Sequence, residues 1–199
     1  RARKVNMLGH SQGGVDSRWV AADAGAALGD RIGAIITLGT PHLGTPVTDI
    51  ALGLLPGNAE QILFLLLEFL GATQDQQSDA EASMYTLSET FMQGEFNPTY
   101  LDHPDVKYWS WAGETCLAGL VCDDAVDPLL LWSYELIMPF AGANDGLVPL
   151  DTALGRHADP ARSLAFPASH QWVGFGMHHL DLLNRQEVYA QLRSWLGKR

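Results

Sequence analysis

Gly9-His10-Ser11-Gln12-Gly13 stands almost at the start of the chain, and its Gly-x-Ser-x-Gly form decides how the rest is read. A sharp strand-to-helix turn must lift one side chain above a sheet, so small residues are expected two positions to either side, and glycine satisfies both. A pentapeptide of this kind also arises by chance in turns, so its flanks carry the test. Upstream, Lys4 to Leu8 places Val5, Met7 and Leu8 in a short buried-strand pattern. Downstream, Val15, Trp19, Ala22 and Ala26 recur at helical spacing after Gly14. Strand, turn and helix follow one another as the motif requires, and the chemistry it points to is acyl transfer through a serine hydroxyl.

The 199 residues are 47% hydrophobic and 18% charged, enough apolar material for a core within a single domain spanning 1–199. A formal net charge of -11 disfavours nucleic acid and anionic membrane surfaces as electrostatic partners and leaves a neutral ester or lipid unaffected. The longest apolar run, Ile62 to Leu67, is too short to cross a bilayer and is followed at once by Glu68, so no transmembrane helix is expected. Arg1 leads directly into the elbow strand, from which the chain is expected to be an N-terminally truncated fragment with no signal peptide. Cys116 and Cys122 are near enough in sequence to close a small loop in an oxidising compartment, or to remain two thiols in a surface loop.

Beyond the first helix, Gly33 to Leu38 reads as a buried parallel strand, broken by Gly39-Thr40-Pro41-His42 at the end where ligand-facing loops of α/β sheets emerge. Pro46 to Leu70 is strongly apolar apart from Leu55-Pro56-Gly57, and Gln74 to Glu81 is polar, so about 46–100 reads as an inserted helical subdomain. Within it Ile62 to Leu70 is apolar nearly all round, which means burial or contact with something non-aqueous. Val106 to Trp111 and Gln171 to Phe175 are the third and fourth strand candidates. The tail closes as an amphipathic helix with Val188, Leu192, Trp195 and Leu196 on one face.

A serine hydroxyl needs an imidazole to take its proton and a carboxylate to orient that imidazole. In the hydrolase fold that the elbow implies, these follow in the order Ser, acid, His, each in a loop after a strand. Asp145, in Asn144-Asp145-Gly146 after an apolar stretch, is the leading acid, with Asp151 and Asp123 as weaker rivals. His179 lies late in the chain and ahead of the final helix, as the order demands, with His178 and His170 as rivals.

Val5 to Gly14, Thr37-Leu38-Gly39-Thr40-Pro41-His42-Leu43-Gly44, Tyr108 to Gly113, Asn144 to Val148 and His179-Leu180-Asp181, taken in order, resemble the secreted bacterial triacylglycerol lipases of the Pseudomonas and Burkholderia type. The resemblance implies an α/β-hydrolase fold, a parallel-sheet core with a mobile helical lid at Ile62 to Leu70, here without its N-terminal strands. It further implies Ser11 as nucleophile, Asp145 as acid, His179 as base, the Gln12 backbone N–H as an oxyanion donor, and a structural role for His42. It implies a structural calcium ion on Asp127 and Asp181, although the chain passes from Asp181 almost directly into its last helix, where these lipases have a longer loop. Read as residues, Asp127 before Pro128 suits a helix N-cap and Asp181 a first-turn acid.

The reaction implied is hydrolysis of carboxylic esters, most of all long-chain acylglycerols at an interface, through an acyl-enzyme and with no redox cofactor. A short-chain carboxylesterase or polyester depolymerase shares every one of these residues, and a non-catalytic hydrolase-like module keeps the fold alone. Export and a lipase-specific folding chaperone are also implied. The second oxyanion donor is expected from a loop ahead of the elbow strand, which this chain does not contain. The chain by itself is therefore expected to be nearly inactive, with an apolar sheet edge prone to aggregation.

Overall fold

Ile32–Leu38 is buried along nearly its whole length, without the alternation of a half-exposed strand, because helices and loops cover it on both faces. It is the second of four parallel strands, β1 (Val5–His10), β2 (Ile32–Leu38), β3 (Lys107–Glu114) and β4 (Gln171–Phe175), which lie side by side in chain order. A computed structural model describes residues 4–58, 77–117 and 126–197. The expected strands all form, with β1 running on to His10 and β3 to Glu114, but β1 is not the buried strand expected: it ends the strand order, and its Val5 and Leu8 are exposed. Register pairs His10 with Leu38 and Leu38 with Trp111, which brings the carboxyl ends of three strands to one level.

Six helices bear on the site: α1 (Gln12–Ala21), α2 (Pro46–Ala51), α3 (Gln77–Tyr85), α4 (Leu131–Ala141), α5 (Leu150–Ala153) and α6 (Gln186–Gly197). Ile36, Leu38 and Trp111 pack with Val188, Leu192 and Trp195 of α6, while Ile35 and Tyr108 pack with Ala21 and Phe166. A third cluster joins Val47 and Ile50 of α2 to Tyr134 and Ile137 of α4 and to Leu147 and Val148. Burial of one such aliphatic side chain contributes about 1.5–3 kcal/mol, so these clusters fix the sheet ends.

Two helix expectations are corrected. α1 stops at Ala21, so Ala26 lies beyond it, and Trp19 is 43% exposed. The face turned inward carries Arg18 instead, buried because its Nε donates to Asp102 Oδ1 at 2.8 Å and its Nη1 to Asn97 Oδ1 at 3.0 Å. On α6, Leu196 turns outward while Val188, Leu192 and Trp195 are buried. In the 46–100 region the described residues form α2, α3 and a helical run through Glu89–Phe91, a π-helical Met92–Phe96 and Asn97–Thr99. Ile62 to Leu70 lies outside the described residues. Among the described residues no helix is long and apolar enough to cross a membrane.

Candidate active site

Ser11 occupies the turn between β1 and α1 at φ 52 and ψ -126, a conformation that L residues rarely adopt and that costs on the order of 1–3 kcal/mol. The strain is held by the surroundings. Ser11 N–H donates to Leu38 O at 2.9 Å, and Gly39 N–H donates to Trp111 O at 2.8 Å, fastening the strand ends to one another. A Cβ at Gly9 would strike the backbone of Gly13 and Gly14, so the turn closes only over glycine there. The partner position differs from expectation: a Cβ at Gly13 meets nothing, while one at Gly14 would collide with the Thr40 side chain. The tight packing of helix on sheet therefore falls one residue later than the motif's last glycine.

At the same end of the sheet, His179 Nδ1 lies 2.8 Å from Asp145 Oδ2, and both side chains are almost fully buried. Asp145 Oδ1 also accepts the N–H groups of Leu147 (3.0 Å) and Val148 (2.8 Å). Since this carboxylate accepts throughout, His179 carries its proton on Nδ1 and leaves Nε2 as an acceptor. Gly39, at φ +54, makes room for the pair, because a Cβ there would stand 3.0 Å from Asp145 Oδ2 and 3.1 Å from His179 Nδ1.

Beside Ser11, His10 contributes a contact that the sequence reading missed. Its ring sits 4.5 Å from that of His179, and its Nε2 donates to the His179 carbonyl oxygen at 3.0 Å. Burial above all, and then the neighbouring His179, lower the His10 pKa to about 4. The ring is thereby kept neutral, although the hydrogen bond to the His179 carbonyl by itself favours the charged form. The only sequence signal for it is adjacency to Ser11.

Gln12 opens α1, so its backbone N–H is one of the four at a helix start that lack an intrahelical acceptor. Its side chain is anchored to α3 and the residue after it, with Ser83 Oγ donating to Gln12 Oε1 at 2.8 Å and Gln12 Nε2 donating to Thr86 Oγ1 at 3.4 Å. His42 is wholly buried, its Nε2 lies 2.9 Å from Thr37 Oγ1, and burial first and then Arg18 hold its pKa well below the ordinary value.

The rival residues stand elsewhere. His170 stacks on Trp109 with centroids 3.7 Å apart, and its Nδ1 lies 3.0 Å from Tyr108 O. His178 Nε2 is 3.4 Å from Asp181 Oδ2. Asp151 is exposed beside Arg156, and Asp123 lies outside the described residues. Cys116 is disulfide-bonded, and Cys122 also lies outside the described residues. A cavity of about 460 Å³ opens along α1, with Arg18, Leu43, Asn97, Leu101, Arg162 and Leu164 in its wall; it contains none of Ser11, Asp145 and His179.

The two aspartates implied for calcium are each engaged otherwise. Asp127 Oδ1 accepts the Leu129 N–H at 2.8 Å, as the N-cap of the turn Pro128–Leu130. Asp181 Oδ2 faces Arg185 Nη2 at 3.3 Å and the His178 N–H at 3.3 Å, in the first turn of Asp181–Leu183. Among the described residues no three His, Cys, Asp or Glu side chains gather as an ion site. Calcium calls for six to eight oxygen ligands, and a carboxylate already facing a guanidinium does not fit one. The residue-level reading of these two aspartates matches what is observed.

No family model matches the chain. It is 28% identical over 178 residues to a Vibrio cholerae protein named triacylglycerol lipase, covering 78% of this chain and 54% of that protein. It is 33% identical over 95 residues to a triacylglycerol lipase of Burkholderia plantarii, covering 44% of this chain and 25% of that one. Among solved structures, the mature lipase of Bacillus licheniformis superposes with a TM-score of 0.65 at 23% identity, covering 98% of this chain and 65% of that chain. The chain thus spans about half the length of its Vibrio relative. In sequence this chain is similar to bacterial proteins named triacylglycerol lipase, and it shares the α/β fold of a solved bacterial lipase.

Proposed function

We propose that the protein to which this chain belongs hydrolyses carboxylic esters, with long-chain acylglycerols as its main substrates. The observation that carries the reading is the buried Asp145–His179 pair, held at the sheet end where Ser11 sits in a strained turn and the His10 ring packs against that of His179. In this reading Ser11 Oγ attacks the ester carbonyl while His179 Nε2 takes its proton, and Asp145 holds the imidazolium that forms. Charge that develops on the carbonyl oxygen is met by the Gln12 N–H, which the helix start leaves unpaired and which the α1 dipole reinforces. The proton then passes from His179 to the departing alcohol. Water repeats the sequence on the acyl-enzyme, releasing the acid and restoring Ser11.

Names of the relatives support a lipid ester as substrate, and the disulfide at Cys116 suits the oxidising compartment to which such a protein would be exported. The test is covalent labelling of the full-length protein by a fluorophosphonate, compared with Ser11→Ala. Labelling lost in the variant, together with faster turnover of long-chain than short-chain glycerol esters, supports the proposal. Preference for short-chain or polymeric esters reassigns the substrate, and an unlabelled protein overturns the reading.

A further inference from the structure

We infer that Arg185 is a positioning residue for the base-bearing loop, acting through Asp181 as a built-in cation that makes the loop independent of calcium. The inference rests on the reading of His179 as base. Asp181 follows that histidine by two residues and ties the loop together from the far side. Its Oδ2 accepts from the backbone N–H of His178 and from Arg185 Nη2, each at 3.3 Å, and the His178 ring Nε2 lies 3.4 Å away. The backbone repeats the connection, with the Arg185 N–H donating to Asp181 O at 3.0 Å and the Asp181 N–H to His178 O at 3.0 Å.

His179 itself is pinned on the near side by Asp145 and His10. The loop is therefore clamped on both flanks of the base, and one clamp depends on a positive charge facing Asp181. A divalent ion could meet the same need. Here the guanidinium stands in that place, four residues along the chain and just ahead of α6. Its counterpart Asp127 is already committed to capping its own turn. Asp181 is 15% exposed and Arg185 31%, so the pair is sheltered enough to keep its geometry.

The experiment measures kcat and KM of the full-length protein on one soluble ester, in chelator and in added calcium, for the wild type, Arg185→Lys, Arg185→Gln and Asp181→Asn. The wild type is expected to turn over equally in both conditions. Arg185→Gln is expected to lose about tenfold in kcat with KM within about twofold, the scale of an outer residue that orients a ligand or base. Arg185→Lys should recover most of that loss, and Asp181→Asn should match Arg185→Gln without adding to it in the double variant. A wild type that fails in chelator and revives with calcium overturns the inference, as does a kcat unchanged in both Arg185→Gln and Asp181→Asn. Should Arg185→Gln not fold, a tenfold loss in Asp181→Asn with retained melting temperature still supports it, and an unaltered kcat there still overturns it. A wild type that neither turns over esters nor takes the fluorophosphonate instead sinks the functional reading, which separates the two failures.

Discussion

Asp145 grips His179 twice, through its carboxylate to the ring Nδ1 at 2.8 Å and through its backbone carbonyl to the His179 N–H at 2.8 Å. The backbone bond survives replacement of the side chain, while the ring bond does not. Asp145→Asn should therefore leave the loop in place and spoil the tautomer, lowering kcat on the order of ten-thousand-fold with little change in KM. Steady-state kinetics on a soluble ester check this, and a loss below about tenfold counts against the acid role.

The strain at Ser11 gives a prediction of opposite sign for stability. Ser11→Gly relieves a positive φ that glycine adopts freely, so the variant should be inactive yet more stable, by about 1 kcal/mol. Urea unfolding of the two proteins measures it, and a destabilised glycine variant would argue that the turn is not strained.

For His10 the sign of the pH effect follows from its lowered pKa. The unfolded ring takes up a proton near the ordinary value of 6.5, the folded ring only near 4, so in between the unfolded state binds more protons. Stability is then full above pH 6.5 and declines as the pH falls from there to about 4, by up to about 3 kcal/mol. Comparing denaturant midpoints at neutral and acid pH should show a shallower decline in His10→Gln than in the wild type.

The two glycines after the serine should part company. Gly13→Ala meets open space within α1 and should be neutral or stabilising by up to about 1 kcal/mol, whereas Gly14→Ala must displace Thr40 at a cost of about 1–3 kcal/mol. Thermal melts of both variants decide the order.

Among the described residues β1 stands at the sheet edge, where it exposes Val5 (57%) and Leu8 (54%). Leu8→Lys should raise the soluble yield of the 199-residue chain, since an edge charge opposes strand-on-strand association. Equal yields by sedimentation would dissociate the edge from aggregation.

Local features were the readable ones. The elbow was legible because strand, turn and helix are contiguous, and β2 because an uninterrupted apolar run suits a strand covered on both faces. The choice of Gly14 over Gly13 was not, since it depends on Thr40 from the next strand's loop. The burial of Arg18 was not legible either, since its partner Asp102 lies 84 positions away. α4 escaped notice because Leu131–Ala141 is apolar on nearly every side and shows no amphipathic period. Asp145, His179 and Ser11 could be ranked by chain order, whereas the contact of His10 with His179 belongs to the fold alone.

The span between those last two residues has a consequence for biosynthesis. His10 and His179 are 169 positions apart, and the strands join in the order in which they leave the ribosome. When Ser11 and His10 emerge, the His179 imidazole has still to be made. The contacts of His179 with His10 and Asp145 therefore await synthesis of the fourth strand and the loop after it.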